Sequence, residues 1–251
     1  DNNGKDLWTS YYGRRYSCAK TDARSILLAK DKGVIINTSY FNKYEYLKLV
    51  LKDGKSHPRK FMSNKPTIAK INGEGNAIYT GKPSYLFNSN GAVDWRLYRF
   101  KMPRGGKDLT IGKSKDLYVA GINKNKPSRG IFLSQYGRWN RFKWTRMMAS
   151  SGKDYVKMII VDKDENIYIL GETDGSMHGQ KKFGRLDIFV IKMDKKGNRI
   201  WTVQYGTKND DSATHISVTP TNDLIVTGST YGDLDGSNKG EKDIVIFKID
   251  Q

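Results

Sequence analysis

Asp194-Lys-Lys-Gly-Asn-Arg-Ile-Trp-Thr202 has the same turn-and-strand spacing as the first residues of the chain, Asp1-Asn-Asn-Gly-Lys-Asp-Leu-Trp-Thr9. The strand-like segment Asp187-Ile-Phe-Val-Ile-Lys-Met193 precedes the first of these stretches. It recurs as Asp243-Ile-Val-Ile-Phe-Lys-Ile249, close to the last residue. The opening residues therefore match the strand that is due after residue 250. Because the first residues supply the strand that the last repeat lacks, the sequence predicts a closed ring of repeats in which both ends of the chain contribute to one unit.

A short apolar strand that ends in Gly recurs along the chain and indicates an internal repeat. Its copies are residues 77–81, 117–121, 167–171 and 224–228, with a fifth copy at 34–38 that ends in Thr. Each copy is expected to hold four strands, which in the fourth copy are residues 155–161, 167–173, 187–193 and 199–205. These segments are rich in Ile, Val, Tyr, Phe and Trp and are bounded by Gly, Asn and Asp, which is typical of antiparallel hairpins.

Radial repetition of a four-stranded sheet of this size is the signature of a β-propeller. The sequence therefore predicts an all-β fold, a five-bladed propeller of four-stranded antiparallel blades that forms a single domain over residues 1–251. Residues 1–13 are expected to complete blade 5 and to close the ring. Trp8, Trp144 and Trp201 occupy equivalent repeat positions, so we interpret them as packing residues between blades, since a Trp buries a large area.

A family resemblance follows from the last repeat, Gly228-Ser-Thr-Tyr-Gly-Asp-Leu-Asp-Gly-Ser-Asn-Lys-Gly-Glu-Lys-Asp-Ile-Val-Ile-Phe-Lys-Ile-Asp250. It resembles the beta-propeller repeat of secreted and surface bacterial proteins, the SBBP-type repeat, and residues 171–206 do so too. The likeness is clear over residues 154–251 and 1–13 and faint over 14–153. The resemblance implies a propeller in an extracytoplasmic setting. It implies no activity, because a scaffold of this kind hosts many functions.

The charge of the chain is strongly positive and unevenly placed. The net charge is +18; residues 1–152 hold 30 Lys and Arg against 10 Asp and Glu, whereas residues 153–251 hold 14 against 16. This asymmetry indicates an anionic partner on one side of the molecule, with simple solubility as the alternative. No apolar run is long enough to span a membrane. The first residue, Asp1, indicates either a processed product or an excised fragment, and we favour secretion followed by removal of a signal peptide. The single Cys18 excludes an internal disulfide.

The strongest candidate for a binding site is a pair of segments, 94–107 and 138–146, in which cations and aromatic rings alternate. Arg side chains bind phosphate, sulfate or carboxylate, while rings stack on sugars or bases. The predicted ligand-binding residues are Arg96, Arg99, Arg138, Trp139, Arg141 and Arg146. The alternative is structural, with rings packed between blades and cations on the solvated outer edge.

Other chemistry is weakly indicated. His57, His178 and His215 lie in three different repeats without metal-ligand spacing. Four carboxylates, Asp22, Asp154, Asp210 and Asp211, precede inner strands, where local backbone bonding is their expected role. The loop 233–238 has oxygen ligands and a Gly but lacks the spacing and closing Glu of a helix-loop-helix calcium site. The sequence predicts no catalytic residues, no metal and no cofactor.

The favoured hypothesis is therefore a non-catalytic binding module, secreted or held at the cell surface, that recognises an anionic polymer or glycan. A protein-protein interaction scaffold that uses the long connections 172–186 and 229–242 is the alternative. A glycoside-active enzyme is less favoured, because it needs two carboxylates that converge on one site. Nucleic acid is disfavoured by the acidic second part of the chain, and no membrane span is expected.

Overall fold

The structure of the protein is a computed structural model. It describes residues 100, 102–123, 130–233, 236, 238 and 240–251, together with the backbone of seven strands between residues 21 and 94. These residues belong to two compact units, 1–101 and 102–251. The expectation of a single domain over residues 1–251 stays a prediction.

The first unit contains two antiparallel sheets. One has the strand order β1-β2-β3, with β1 at Thr21–Leu28, β2 at Val34–Tyr40 and β3 at Tyr44–Val50. The other has the order β4-β5-β6-β7, with strands at Ile68–Ile71, Ala77–Thr80, Tyr85–Phe87 and Val93–Asp94. In both sheets each strand pairs with its neighbour in sequence, as in a meander of hairpins.

The second unit contains three antiparallel sheets with the same connectivity. We refer to them as sheets 3, 4 and 5. Sheet 3 comprises β8 (Gly106–Ile111), β9 (Leu117–Ile122), β10 (Ile131–Tyr136) and β11 (Phe142–Met148). Sheet 4 comprises β12 (Asp154–Val161), β13 (Ile167–Thr173), β14 (Asp187–Met193) and β15 (Arg199–Tyr205). Sheet 5 comprises β16 (Asp211–Val218), β17 (Leu224–Thr230) and β18 (Asp243–Ile249).

The all-β prediction is confirmed, and so are the strand assignments that fall on described residues. The five sequence copies lie on the second strands of five sheets, β2, β5, β9, β13 and β17. The predicted bounds of β13, β14 and β15 agree with the structure, and β12 begins one residue earlier than expected. Residues 1–13, which are predicted to complete blade 5, lie outside the described residues. The number of blades and the closure of the ring remain predictions.

A single type of turn joins the first two strands of sheets 3, 4 and 5 and the last two strands of sheet 4. The turns span residues 112–116, 162–166, 194–198 and 219–223, and in each the first residue exchanges backbone hydrogen bonds with the fourth and fifth. The fourth residue has a positive φ in every case: Lys115, Glu165, Gly197 and Asn222. Asp162 and Asp194 also accept backbone N–H groups from two residues of their own turns, as turn carboxylates commonly do.

The core of the second unit lies between its sheets. One buried cluster combines Leu133 and Met148 of sheet 3 with Ile159 and Phe189 of sheet 4. A second cluster combines side chains of sheet 4, such as Leu170, with side chains of sheet 5. Because β13 and β14 are covered on both faces, almost every residue in them is buried, as expected for a strand between two packed neighbours.

Candidate functional site

The hairpin between β10 and β11 presents an aromatic ring at its tip. The turn at Arg138–Asn140 is closed by a hydrogen bond from the Gly137 N–H to the Arg141 carbonyl, 2.8 Å. Trp139 and Asn140 have φ values of 61° and 59°, so two consecutive residues other than Gly adopt the left-handed conformation. This geometry suits the twist of a hairpin but costs about 1–2 kcal/mol for each residue that carries a Cβ.

The side chains around this turn form a small basic and aromatic surface. Trp139 is 64% exposed and Phe142 is 56% exposed, and Arg141 between them is exposed as well. We call these three residues the hairpin tip. The Phe142 ring rests edge-on against Tyr136, with ring centroids 5.8 Å apart, so one of the three is held in place by β10. A guanidinium beside two accessible rings can bind an anion and stack on a planar or pyranose ring at the same time.

The other predicted ligand-binding residues are placed differently. Arg146 is half-buried; its guanidinium lies 5.0 Å from the centre of the Trp144 ring, and its Nη2 donates to the Lys196 carbonyl at 3.0 Å. These contacts join sheet 3 to a turn of sheet 4, so they serve packing. A ligand role for Arg146 stays a prediction. Arg96 and Arg99 lie outside the described residues, and only the backbone of Arg138 is described.

The tryptophans that the sequence assigned to packing lie between sheets. Trp144 packs on the cluster between sheets 3 and 4, and Trp201 packs on the cluster between sheets 4 and 5. Each contacts a buried Tyr of its own sheet in the same way. The ring centroids of Tyr118 and Trp144 are 6.3 Å apart and the ring planes make an angle of 50°. The corresponding values for Tyr168 and Trp201 are 6.1 Å and 51°. Trp8 lies outside the described residues.

The buried carboxylates at the strand starts have structural partners. Asp154 accepts hydrogen bonds from the Ser150 N–H, 2.9 Å, and from the Thr173 hydroxyl, 2.7 Å. The next repeat copies this arrangement with Asp211, which accepts from the Thr207 N–H at 2.6 Å. Burial raises the pKa of Asp211, although hydrogen bonds from Thr230 and Thr207 act to lower it. The repetition of the network in two sheets supports the local, structural role that the sequence indicated for these residues.

The histidines and the candidate calcium loop also have local contacts. His178 Nδ1 lies 2.8 Å from the Thr202 hydroxyl, and His215 lies exposed on β16. His57 lies outside the described residues. In the loop after β17, Asp233 accepts the N–H of Asn238, 2.6 Å, as a turn residue does. Among the described residues, no group of three His, Cys, Asp or Glu side chains could hold a metal ion.

A polar cleft of about 590 Å³ opens in the second unit, and sequence reasoning missed it. The residues that line it come from sheets 3 and 4, from the segments beside their strands and from the residue before β16; they include Lys107, Lys153, Tyr155, Lys157, Glu172, Asp174, Arg185 and Asp210. They are scattered over more than 100 positions, so no local motif marks them. The sequence feature that could have pointed to the cleft is the side-chain alternation along β12, where Tyr155 and Lys157 are exposed while Asp154 and Val156 are buried.

The hairpins and intersheet clusters define a repeat protein of antiparallel sheets, and comparison with known proteins agrees. Residues 134–176 match the family model described as the beta-propeller repeat, SBBP, which confirms the resemblance seen in the sequence. The match runs from β10 through β13, so it includes the hairpin tip and part of the stretch where the likeness is faint by eye. Residues 134–176 therefore match one repeat of the SBBP type. No curated protein matches it.

Several solved structures match most of the chain at low sequence identity. A protein of unknown function from Bacteroides caccae is 12% identical, covers 90% of this chain and 75% of its own, and has a TM-score of 0.49. A member of the DUF4221 family from Bacteroides vulgatus is 10% identical; the match covers 87% of this chain and 75% of that protein, with a TM-score of 0.46. An endo-arabinase from Bacteroides thetaiotaomicron is 13% identical; the match covers 94% of this chain and 95% of that protein, with a TM-score of 0.43.

Proposed function

We propose that the protein is a non-catalytic binding module, secreted or held at the cell surface, that recognises an anionic polymer or glycan through its hairpin tip. The observation that carries the proposal is the presentation of Trp139 on a left-handed turn, 64% exposed beside the exposed Arg141. A ring held outward at a cost in backbone strain favours a contact with a partner, because burial in the fold would not need that strain. Among the described residues, no helix is long and apolar enough to cross a membrane.

The chemistry of the tip selects the class of ligand. Arg141 offers a planar, permanently charged fork that pairs with carboxylate, sulfate or phosphate groups. Trp139 and Phe142 supply flat apolar surface on which the face of a sugar ring can stack. Lys143, one residue further on, is paired with Asp116 at 2.7 Å and contributes less. The excess of cations in residues 1–152 adds long-range attraction for a polyanion.

Binding of heparin and of a glycan array at two salt concentrations tests this proposal. Trp139→Ala and Arg141→Glu should each weaken binding by about tenfold or more, since hot-spot residues of this type dominate small interfaces. Lys163→Glu is the matched control, because Lys163 is exposed in the turn between β12 and β13 and carries the same charge. Affinity should fall as salt rises. Equal binding by the wild-type protein and both tip variants would refute the proposed site.

We propose further that the ring is closed by residues 7–12 as the fourth strand of sheet 5. Two observations support this: sheet 5 has three described strands where sheets 3 and 4 have four, and residues 1–9 repeat the sequence of residues 194–202. Ile244 and Ile246 of β18 are 82% and 68% exposed, whereas β14, the equivalent strand of sheet 4, is buried on both faces. A closed ring of five blades would cover this apolar surface and stabilise the module.

The register of sheet 4 predicts the contacts of the closing strand. In sheet 4 Val203 pairs with Val190, and the repeat places Ser10 and Ile246 at the equivalent positions. In a Cys18→Ala background, the pair Ser10→Cys and Ile246→Cys should therefore form a disulfide on mild oxidation, because directly opposed antiparallel residues have suitable spacing. The control is the pair Thr9→Cys and Ile246→Cys, because a shift of one residue along the proposed strand places the first cysteine on the opposite face of the sheet. Equal crosslinking of both pairs, or of neither, would refute this closure.

One observation favours a protein-protein scaffold as the second candidate. Both long connections display an exposed ring under a lysine: Lys181 lies 4.9 Å from the Phe183 ring, and Lys242 lies 5.6 Å from the Tyr231 ring. Aromatic residues are enriched among the anchors of protein interfaces. Pull-down of partners should then be lost with Phe183→Ala and Tyr231→Ala and unaffected by Trp139→Ala. Loss of partners with Trp139→Ala, but not with Phe183→Ala or Tyr231→Ala, would instead support binding through the hairpin tip.

A further inference from the structure

The cleft in the second unit is a candidate for a second binding site, on a surface that does not include the hairpin tip. It has a volume of about 590 Å³, which is within the range of small-molecule sites. Its walls come from separate sheets: Lys107 belongs to β8, Tyr155 to β12 and Glu172 to β13, while Asp210 immediately precedes β16. Lys153, Asp174 and Arg185 lie within two residues of a strand end. Residues on rigid strands hold their positions better than residues on loops, so the strand residues give the cleft a pre-formed wall.

The charges in the cleft are only partly satisfied by the protein. Lys157 Nζ pairs with Glu172 Oε1 at 2.8 Å, and Arg185 Nε lies 3.8 Å from Asp210 Oδ1. Two further lysines, Lys107 and Lys153, line the same cleft, and among the described residues their ammonium groups have no carboxylate partner. These two ammonium groups are therefore available to an anion that enters the cleft.

Acceptor groups lie in the same cleft. Among the described residues, the hydrogen bonds and the ion pair of the Glu172 carboxylate fall on Oε1, which accepts from Ser212 Oγ, 2.7 Å, and the Ala213 N–H, 3.0 Å, as well as from Lys157. Its second oxygen and the carboxylate of Asp174 can accept hydrogen bonds from ligand hydroxyls. Tyr155, which is 40% exposed, supplies an aromatic ring with a polar tip. Donors, acceptors and one ring together match a hydroxylated ligand better than an apolar one.

We propose that this cleft binds a sugar acid, a small hydroxylated molecule that carries a single carboxylate. The carboxylate would lie between the ammonium groups of Lys107 and Lys153, and the hydroxyls would lie toward Glu172 and Asp174. Among the described residues that line the cleft, four are cationic and three are anionic, so they carry a surplus of one positive charge, which suits a monoanion. A phosphate dianion would face the same three carboxylates with more repulsion. This proposal does not depend on the hairpin tip.

Isothermal titration of the whole chain with D-glucuronate tests the proposal, with D-glucose and glucose 6-phosphate as comparison ligands. Glucuronate should bind at millimolar or lower concentration, and the double variant Lys107→Met, Lys153→Met should weaken it by about tenfold or more, since two charge-assisted contacts are lost. Lys163→Met should have no effect, because Lys163 lies in the turn at the opposite end of β12 and β13. Met keeps most of the aliphatic stem of Lys, and a circular dichroism melt verifies that the variants fold.

Three results with glucuronate and glucose would overturn the assignment. They are the absence of saturable glucuronate binding by the wild-type chain, equal affinity in the double variant, and equal or tighter binding of glucose. Tighter binding of glucose 6-phosphate than of glucuronate would move the assignment to phosphorylated sugars and so contradict it. Trp139→Ala should leave glucuronate binding unchanged, so the failure of this site and the failure of the hairpin tip are distinguishable.

Discussion

Glu172 on β13 accepts a hydrogen bond from the backbone N–H of Ala213 on β16, 3.0 Å, and so ties the second strand of one sheet to the first strand of the next. A matching contact joins the preceding pair of sheets, where Asp108 Oδ2 accepts the N–H of Ile159 at 2.9 Å. In both cases a buried carboxylate bonds a backbone amide at a sheet interface. Bonds of this kind fix one sheet against another where apolar packing alone would allow sliding.

Replacement of Glu172 should separate its hydrogen-bonding role from its charge. Glu172→Ala removes the acceptor for the Ala213 N–H and leaves Lys157 unpaired, and should lower the free energy of unfolding by about 2 kcal/mol. Glu172→Gln keeps an acceptor oxygen and should cost less than about 1 kcal/mol. Urea denaturation measures both. Equal losses in the two variants would show that the ion pair with the partly exposed Lys157, and not the amide contact, is the stabilising interaction.

Gly197 is required by its conformation and by its closeness to Trp144. Its φ is +80°, and a Cβ at this position would lie 2.8 Å from the Trp144 ring. Gly197→Ala should therefore lower the free energy of unfolding by about 2–3 kcal/mol, of which about 1 kcal/mol reflects the backbone. Gly179→Ala is the matched control, because Gly179 has a φ of +79° and nothing within 4 Å of a Cβ. Similar losses in both variants would argue against close packing of the two sheets at Trp144.

The hairpin tip should show a conflict between binding and stability. Trp139→Gly relieves the left-handed strain and removes a ring that is mostly exposed, so the free energy of unfolding should stay constant or rise by about 1 kcal/mol. Polyanion binding should be lost in the same variant. Asn140→Gly relieves the neighbouring strain without removing the ring and should keep binding. A marked loss of stability in Trp139→Gly would mean that the ring supports the fold.

His178 should make stability depend on pH near neutrality. Burial, together with the nearby positive charge of Arg199, lowers the pKa of His178 from its usual value, although Asp154 acts to raise it. The folded state therefore disfavours the protonated imidazole. This contribution to stability is full above the unfolded pKa of 6.5 and is lost as the pH falls through the lower folded value.

Thermal melts between pH 7.5 and pH 5 measure this effect. The wild-type protein should lose stability over that range, and His178→Asn should lose less, because Asn tolerates the left-handed backbone at this site and does not titrate. The exposed His215 provides the control, and His215→Asn should show the same change of melting temperature with pH as the wild-type protein. A wild-type slope in His178→Asn would assign the pH dependence to other groups.

Trp144 and Arg146 show how far sequence reasoning reaches for the candidate site. The repeat position of Trp144 predicts that it packs between sheets, and the structure places it there. Arg146 is two residues away and, by strand alternation, belongs to the same face, so it contacts Trp144 and Lys196 instead of projecting into solvent. The periodicity of a strand identifies a face of the sheet, but it does not identify what covers that face.

The sequence by itself determined the strands and turns of sheet 4 and of β17 and β18, because side-chain alternation, β-branched residues and turn residues act over a few neighbouring positions. Only the tertiary structure decided which charges meet. The contact between Glu172 and Ala213, and the cleft that gathers Lys107, Tyr155 and Asp210, join residues tens of positions apart in sequence. Their positions follow from how whole sheets pack against each other, which depends on the fit of many side chains and not on any local pattern.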